Sequence, residues 1–186
     1  MHANDNTRTS TADFEKEKPS VSTLLNYIES DGIEAGIASR PGLLAKLCRH
    51  VGAEGPFRKG VYDRFLKYYW AGIGILVSRS PTAQALLAET MALTVNLEAT
   101  DAPLHGHFLI QEGKISGGPQ MVAFSNQDLR YFGPTNVLTK FLNNELPLGY
   151  ADLSLHSEGH PGLGKILFPV MRTIARLAKG DTSQAQ

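Results

Sequence analysis

The sequence predicts an α+β domain: about five mostly antiparallel strands in one sheet covered by helices, with a helical N-terminal region. Three observations carry this. Up to about Leu93 the apolar residues recur with a helical period. From Val95 they alternate with polar residues, as in half-buried strands. The chain then closes on a long amphipathic stripe from Leu163 to Leu177. A chain of 186 residues matches one ordinary domain and can bury about 70 % of its unfolded surface in a single core.

Residues 1–18 mix Asn, Asp, Thr, Ser, Glu and Lys around the single aromatic Phe14. That is too little apolar surface to offset the entropy of ordering, so this stretch is expected to be a disordered tail. Residues 19–93 read as helical and 94–180 as the α+β part, the two forming one compact unit. Ser20 is a fitting cap for a helix carrying Val21, Leu24, Leu25 and Ile28, which stops at Asp31-Gly32. A second helix is expected after Ser39-Arg40-Pro41, because proline suits a first helical turn; it runs through Leu43, Leu44, Leu47 and Val51 to Gly52.

The strongest helix signal lies between Gly60 and Ser78. Tyr62, Phe65, Leu66, Tyr69, Ile73, Leu76 and Val77 form one side, and Arg64, Lys67, Ala71, Gly74 and Ser78 the other. Ser80-Pro81 restarts a helix through Leu86, Leu87 and Met91, with serine as cap and proline in the first turn.

Val95, Leu97 and Ala99 then alternate with Asn96, Glu98 and Thr100. A second strand places Leu104, Phe108 and Ile110 on one face and His105, His107 and Gln111 on the other. Glu112-Gly113 joins it to Lys114-Ile115 as a tight hairpin, the glycine supplying a positive φ. Strand-like residues continue over Met121 to Phe124 and Leu129 to Phe132, before Gly133-Pro134 opens a helix with Val137, Leu138, Phe141 and Leu142. The last strand is expected over Ala151 to Ser157. The closing helix carries Leu163, Ile166, Leu167, Val170, Met171, Ile174 and Leu177, with a kink or a late start near Phe168 because Pro169 deletes a backbone hydrogen bond.

Composition excludes several functions. Eighteen basic and eighteen acidic residues cancel, so no global field draws the chain to nucleic acid, and no nucleic-acid partner is expected. The only cysteine, Cys48, cannot form an internal disulfide, no apolar stretch near Met1 resembles a signal peptide, and the longest apolar run, Tyr68 to Val77, is about half a bilayer span. A cytoplasmic location is expected.

Chemistry-bearing motifs are few. Gly159 to Lys165 has the GxxxxGK spacing of a phosphate-binding loop, but Ile166 stands where a magnesium-binding Ser or Thr belongs. It reads as a glycine-rich strand-to-helix turn. His105, His107 and Glu112 match the spacing of cupin metal ligands, with His156 and His160 as further candidates, yet a helical first half contradicts that all-β fold. A solvated polar strand face accounts for them, and no metal is expected. Cys48 lies among apolar helix residues, where a thiol is usually inert. Arg172, Arg176 and Lys179 form a basic ridge suited to the helix dipole or to anionic lipid headgroups, the latter with at most about 3 kcal/mol of attraction.

The order helix, antiparallel strands, helix, strand and amphipathic helix over Val95 to Ala178 resembles the sterol carrier protein family of small lipid-binding domains. Phe108-Leu-Ile-Gln-Glu-Gly-Lys-Ile115 looks like that family's strand–turn–strand unit, and Asp128-Leu-Arg-Tyr-Phe132 with the following helix is similar to its strand-then-helix unit. Asp152 to Gly159, before Leu163 and Leu167, looks like its last strand, glycine turn and closing helix. The helical region from Ser20 to Ala92 is long for a minimal carrier domain and is read as an added layer, a lid or a homodimer contact.

The resemblance implies a hydrophobic tunnel between sheet and helices, holding a fatty acyl chain, a sterol-like molecule or an isoprenoid, and no cofactor. Its lining is expected from Phe132, Leu138, Phe141 and Leu142 together with Leu167, Val170 and Met171, with Pro169 and the last helix as a gate. Independently of it, one sheet face cannot absorb five or six helices, which leaves apolar surface for an added layer or a cavity. The expected partner is a hydrophobic small molecule or lipid, with transient contact to a membrane surface. Two other readings stay open. One is an accessory protein presenting a quinone-type intermediate to enzymes. The other is a small isomerase or hydrolase using Asp152 or His156 in an apolar pocket, where burial shifts an acid's pKa.

Overall fold

A computed structural model describes residues 20–146 and 155–181, and its elements follow the expected α+β order. Residues 1–18, expected as a tail, and Ala151 to Ser154 and Asp152 within the expected last strand lie outside the described residues. Helices α1 (Val21–Asp31), α2 (Ile33–Ser39), α3 (Leu43–Glu54), α4 (Lys59–Ser78) and α5 (Pro81–Glu89) precede strands β1 (Leu93–Ala99), β2 (His105–Gln111) and β3 (Lys114–Pro119). Then come a 3₁₀ turn (Phe124–Asn126), β4 (Leu129–Gly133), α6 (Thr135–Leu142), β5 (His156–Gly159) and α7 (Pro161–Ala178).

The local signals act where they were read. Ser20 accepts a hydrogen bond from the Thr23 amide and Ser80 from the Ala83 amide, each satisfying an N–H that the first helical turn leaves open. Glu112 and Gly113 have φ of 51° and 74°, the two positive values of the hairpin turn whose twist matches its strands. The sheet order is β3-β2-β1-β4-β5, antiparallel except for the parallel pair β1–β4. The inner face of its centre is apolar, with Leu93, Val95, Leu97, Phe108 and Ile110 buried.

Helix α4 is the axis of the core. It lies across β3 and β2 on one side and meets α1, α2, α3, α5 and α7 on the others, which is why Trp70 is buried in addition to the expected stripe. Trp70 packs on Phe108 with ring centroids 4.6 Å apart and meets Tyr69 edge-on at 5.1 Å. Helix α6 is tied to its neighbours by polar groups: Tyr69 Oη donates to Leu142 O at 3.2 Å, Cys48 Sγ to Thr139 O at 3.3 Å, and Asn143 Nδ2 to Ala45 O at 3.1 Å. At its N-terminus Asp101 Oδ1 accepts from the Thr135 amide (2.8 Å) and hydroxyl (2.6 Å). Asp101→Ala is expected to cost about 1 kcal/mol, the usual worth of a helix cap, read as a lower midpoint in urea unfolding with an unchanged slope.

Four expectations are corrected. Helix α2 was not predicted: it has seven residues, no side-chain cap and only Gly36 and Ile37 buried, so packing on its neighbours rather than local sequence holds it. The next helix starts at Leu43, not Pro41, because Leu43 N bonds Arg40 O and closes a turn over residues 40–43. Met121 to Phe124 is no strand. Val122 exchanges both of its backbone bonds with the buried side chain of Asn96, N to Oδ1 at 2.9 Å and Nδ2 to O at 3.0 Å, so an amide side chain stands where a neighbouring strand would. Helix α7 has no late start near Phe168: it begins at Pro161, where His160 Nδ1 accepts from the Gly162 amide at 3.1 Å, and includes Pro169. Pro169 is exposed, so solvent can satisfy the carbonyl its missing N–H leaves over.

Candidate functional site

Several helices end at one place. The C-terminal ends of α2, α4 and α7 and the N-terminal ends of α3 and α5 converge, and because each stops there, none covers the gap. The result is a cleft of about 330 Å³, near the lower end of the roughly 300–1,000 Å³ typical of small-molecule sites. Its walls are Ile37, Leu43, Leu44, Leu76, Ala83 and Leu177, with Thr173 at one side. The charged side chains at its rim already have acidic partners: Arg79 pairs with Glu34 at 2.5 Å and Arg176 with Asp181 at 3.1 Å. A balanced rim around an apolar interior suits an uncharged, hydrophobic group, because a charge placed there would be desolvated without a free counter-charge.

The seven residues expected to line a tunnel lie elsewhere, and none borders this cleft. Leu138 and Leu142 are buried on α6, which packs on α3, β1 and β4. Leu167, Val170 and Met171 are buried on α7, which packs on α3, α4 and α5. Phe141 is half-buried and stacks on Tyr131 at 4.6 Å, on the inner side of the sheet. Burial raises the pKa of the Tyr131 hydroxyl and keeps it protonated. Phe132 alternates to the outer face, where its ring stacks on His156 at 5.2 Å and carries the Arg130 guanidinium at 4.7 Å. The structure therefore joins Leu138, Phe141 and Leu142 on one helix and Leu167, Val170 and Met171 on another, and leaves Phe132 on the opposite side of the sheet.

The other motifs resolve into surface and packing. His105 is exposed and His107 Nδ1 bonds Gln120 O at 2.8 Å on the outer sheet face. Among the described residues no group of three His, Cys, Asp or Glu side chains is placed to hold a metal ion. His156 is exposed against Phe132 rather than in an apolar pocket, and Asp152 lies outside the described residues. Cys48 is fully buried, and desolvation pushes its thiol far above the ordinary range, so it carries no nucleophilic thiolate. The cleft itself left no separate trace in the sequence. Its lining residues belong to the same helical stripes as the core, and only the meeting of helix ends distinguishes them.

Among the described residues no helix is long and apolar enough to cross a membrane. No family model matches the sequence, and no curated protein matches it. Solved structures similar to this chain include a UbiJ-SCP2 ubiquinone synthesis protein, 12 % identical, covering 64 % of this chain and 95 % of that one at a TM-score of 0.47. The stereoselective inverting sec-alkylsulfatase Pisa1 from Pseudomonas sp. is 12 % identical, with 81 % of this chain and 29 % of that one covered at a TM-score of 0.40. Its S233Y F250G double mutant is 15 % identical over 86 % of this chain and 33 % of that one, at a TM-score of 0.35.

Proposed function

We propose that this protein binds an uncharged hydrophobic small molecule or the apolar part of a lipid in the cleft between the helix ends. The observation that carries the reading is the cleft's composition: aliphatic walls from five helices beneath a rim whose arginines are already paired. Burying apolar ligand surface there contributes roughly 25 cal/mol per Å², while no protein charge has to be desolvated without a partner. The sterol carrier resemblance read from residues 95–178 points to the same ligand class.

Mass spectrometry of organic extracts from the purified protein, and titration with a fluorescent fatty acid, test this. An apolar molecule is expected in the extract, and Thr173→Trp, which fills the cleft from a half-buried wall position, should weaken fatty-acid binding by about tenfold or more. An empty extract together with no fatty-acid binding would sink the proposal. Unchanged affinity in Thr173→Trp with a loss in Phe141→Ala would move the ligand to the inner sheet face beside α6.

A further inference from the structure

We infer that the outward face of α7 docks on an anionic lipid bilayer. The helix, Pro161–Ala178, contains Lys165, Arg172 and Arg176 and no acidic residue. Lys165 and Arg172 lie two turns apart on one exposed face, with Pro169 exposed between them. Phe168 and Ile166 flank that face and are 39 % and 41 % exposed. The other large apolar side chains so exposed among the described residues, Met91 and Phe124, lie outside this helix.

The structure redraws the basic ridge that the sequence suggests. Arg176 pairs with Asp181 and Lys179 with Glu145 at 3.8 Å, so the C-terminal half of the ridge faces its own counter-charges. Lys165 and Arg172 have no ion pair or hydrogen bond among the described residues, and they stand beside the two exposed apolar side chains. Unneutralised cations next to projecting apolar groups match the two layers of a bilayer interface, phosphate above and acyl chain below. Two cations and two side chains give weak, reversible attachment rather than insertion, consistent with the absence of a membrane-crossing helix among the described residues. A folded protein partner would need a patch on the order of 800 Å² on each side, whereas these side chains form a narrow convex stripe. Thr173, next to Arg172, and Leu177, one turn further on, line the cleft, so docking places the cleft beside the bilayer. The docking itself rests on the α7 surface and not on the ligand reading.

Co-sedimentation of the full chain with vesicles tests it, using phosphatidylcholine alone against phosphatidylcholine mixed with phosphatidylglycerol. Binding is expected only to the anionic vesicles, and to fall as salt rises. The double variant Lys165→Gln, Arg172→Gln should weaken it by about thirtyfold, the attraction of two basic side chains at an anionic surface. Phe168→Asp should abolish it, and Ile166→Ser provides a second exposed position should that variant unfold. No binding to anionic vesicles, equal binding to both compositions, or undiminished binding in the charge variant or in the folded apolar variant overturns the proposal. None of these outcomes depends on whether the cleft holds a ligand.

Discussion

Trp70→Ala is expected to be among the most damaging single substitutions in this protein, at about 4 kcal/mol. The indole is 1 % exposed and fills the space between α4 and the sheet, with Phe108 beneath it and Tyr69 across its edge. Truncation leaves a cavity that neither the strands nor the long helix can close without losing other contacts. For a chain of this length the loss corresponds to a fall of about 8–16 °C in Tm, measured by circular dichroism. Trp70→Phe separates packing from hydrogen bonding. The indole Nε1 is buried without a hydrogen-bond partner among the described residues, so phenylalanine removes an unsatisfied donor and keeps most of the ring. It should cost less than half as much as alanine. Equal losses in the two variants would show that the N–H, not the ring, holds the site.

Gly52→Ala is expected to destabilise by about 2 kcal/mol even though alanine is the better helix former. Gly52 sits on α3 where it crosses α6: a Cβ there would overlap Thr139 Oγ1 and lie 3.1 Å from Thr139 Cβ and 3.3 Å from Asn136 Cα. Helix propensity favours alanine by about 0.5–1 kcal/mol, while overpacking of this kind costs about 1–3 kcal/mol or more. The overlap with the Thr139 hydroxyl, backed by the tight approach to the Asn136 backbone, puts the balance on the destabilising side. The two helices cannot simply part, because the bonds from Cys48 to Thr139 O and from Asn143 to Ala45 O join them. Thr139→Ala in the Gly52→Ala background removes the worst overlap and should restore part of the loss. Urea unfolding of the four members of this cycle reads the coupling, and a coupling near zero would mean that α3 and α6 have room to separate.

What the sequence determined by itself is what lies within a turn or two of each residue. The apolar stripe from Tyr62 to Val77 meets its partners whichever neighbours supply them, so α4 was legible. Alternation placed Val95, Leu97, Phe108 and Ile110 on one buried face, and Ser20, Ser80-Pro81 and Glu112-Gly113 act through bonds to the next few amides. The tertiary structure decided whatever depends on residues far apart in the chain. Asn96 turned Met121 to Phe124 from a strand into a loop from 26 residues away. The parallel register of β4 on β1 pairs Phe132 with Glu98 and so sends its ring outward, away from the α6 side chains it was grouped with. The cleft follows the same rule most completely. Leu76 and Leu177 each read as ordinary core, and they border a cavity with Ile37 and Ala83 only because helices distant in sequence stop at the same point in space. A period records which face of an element is apolar; where that element ends against the others is fixed by packing.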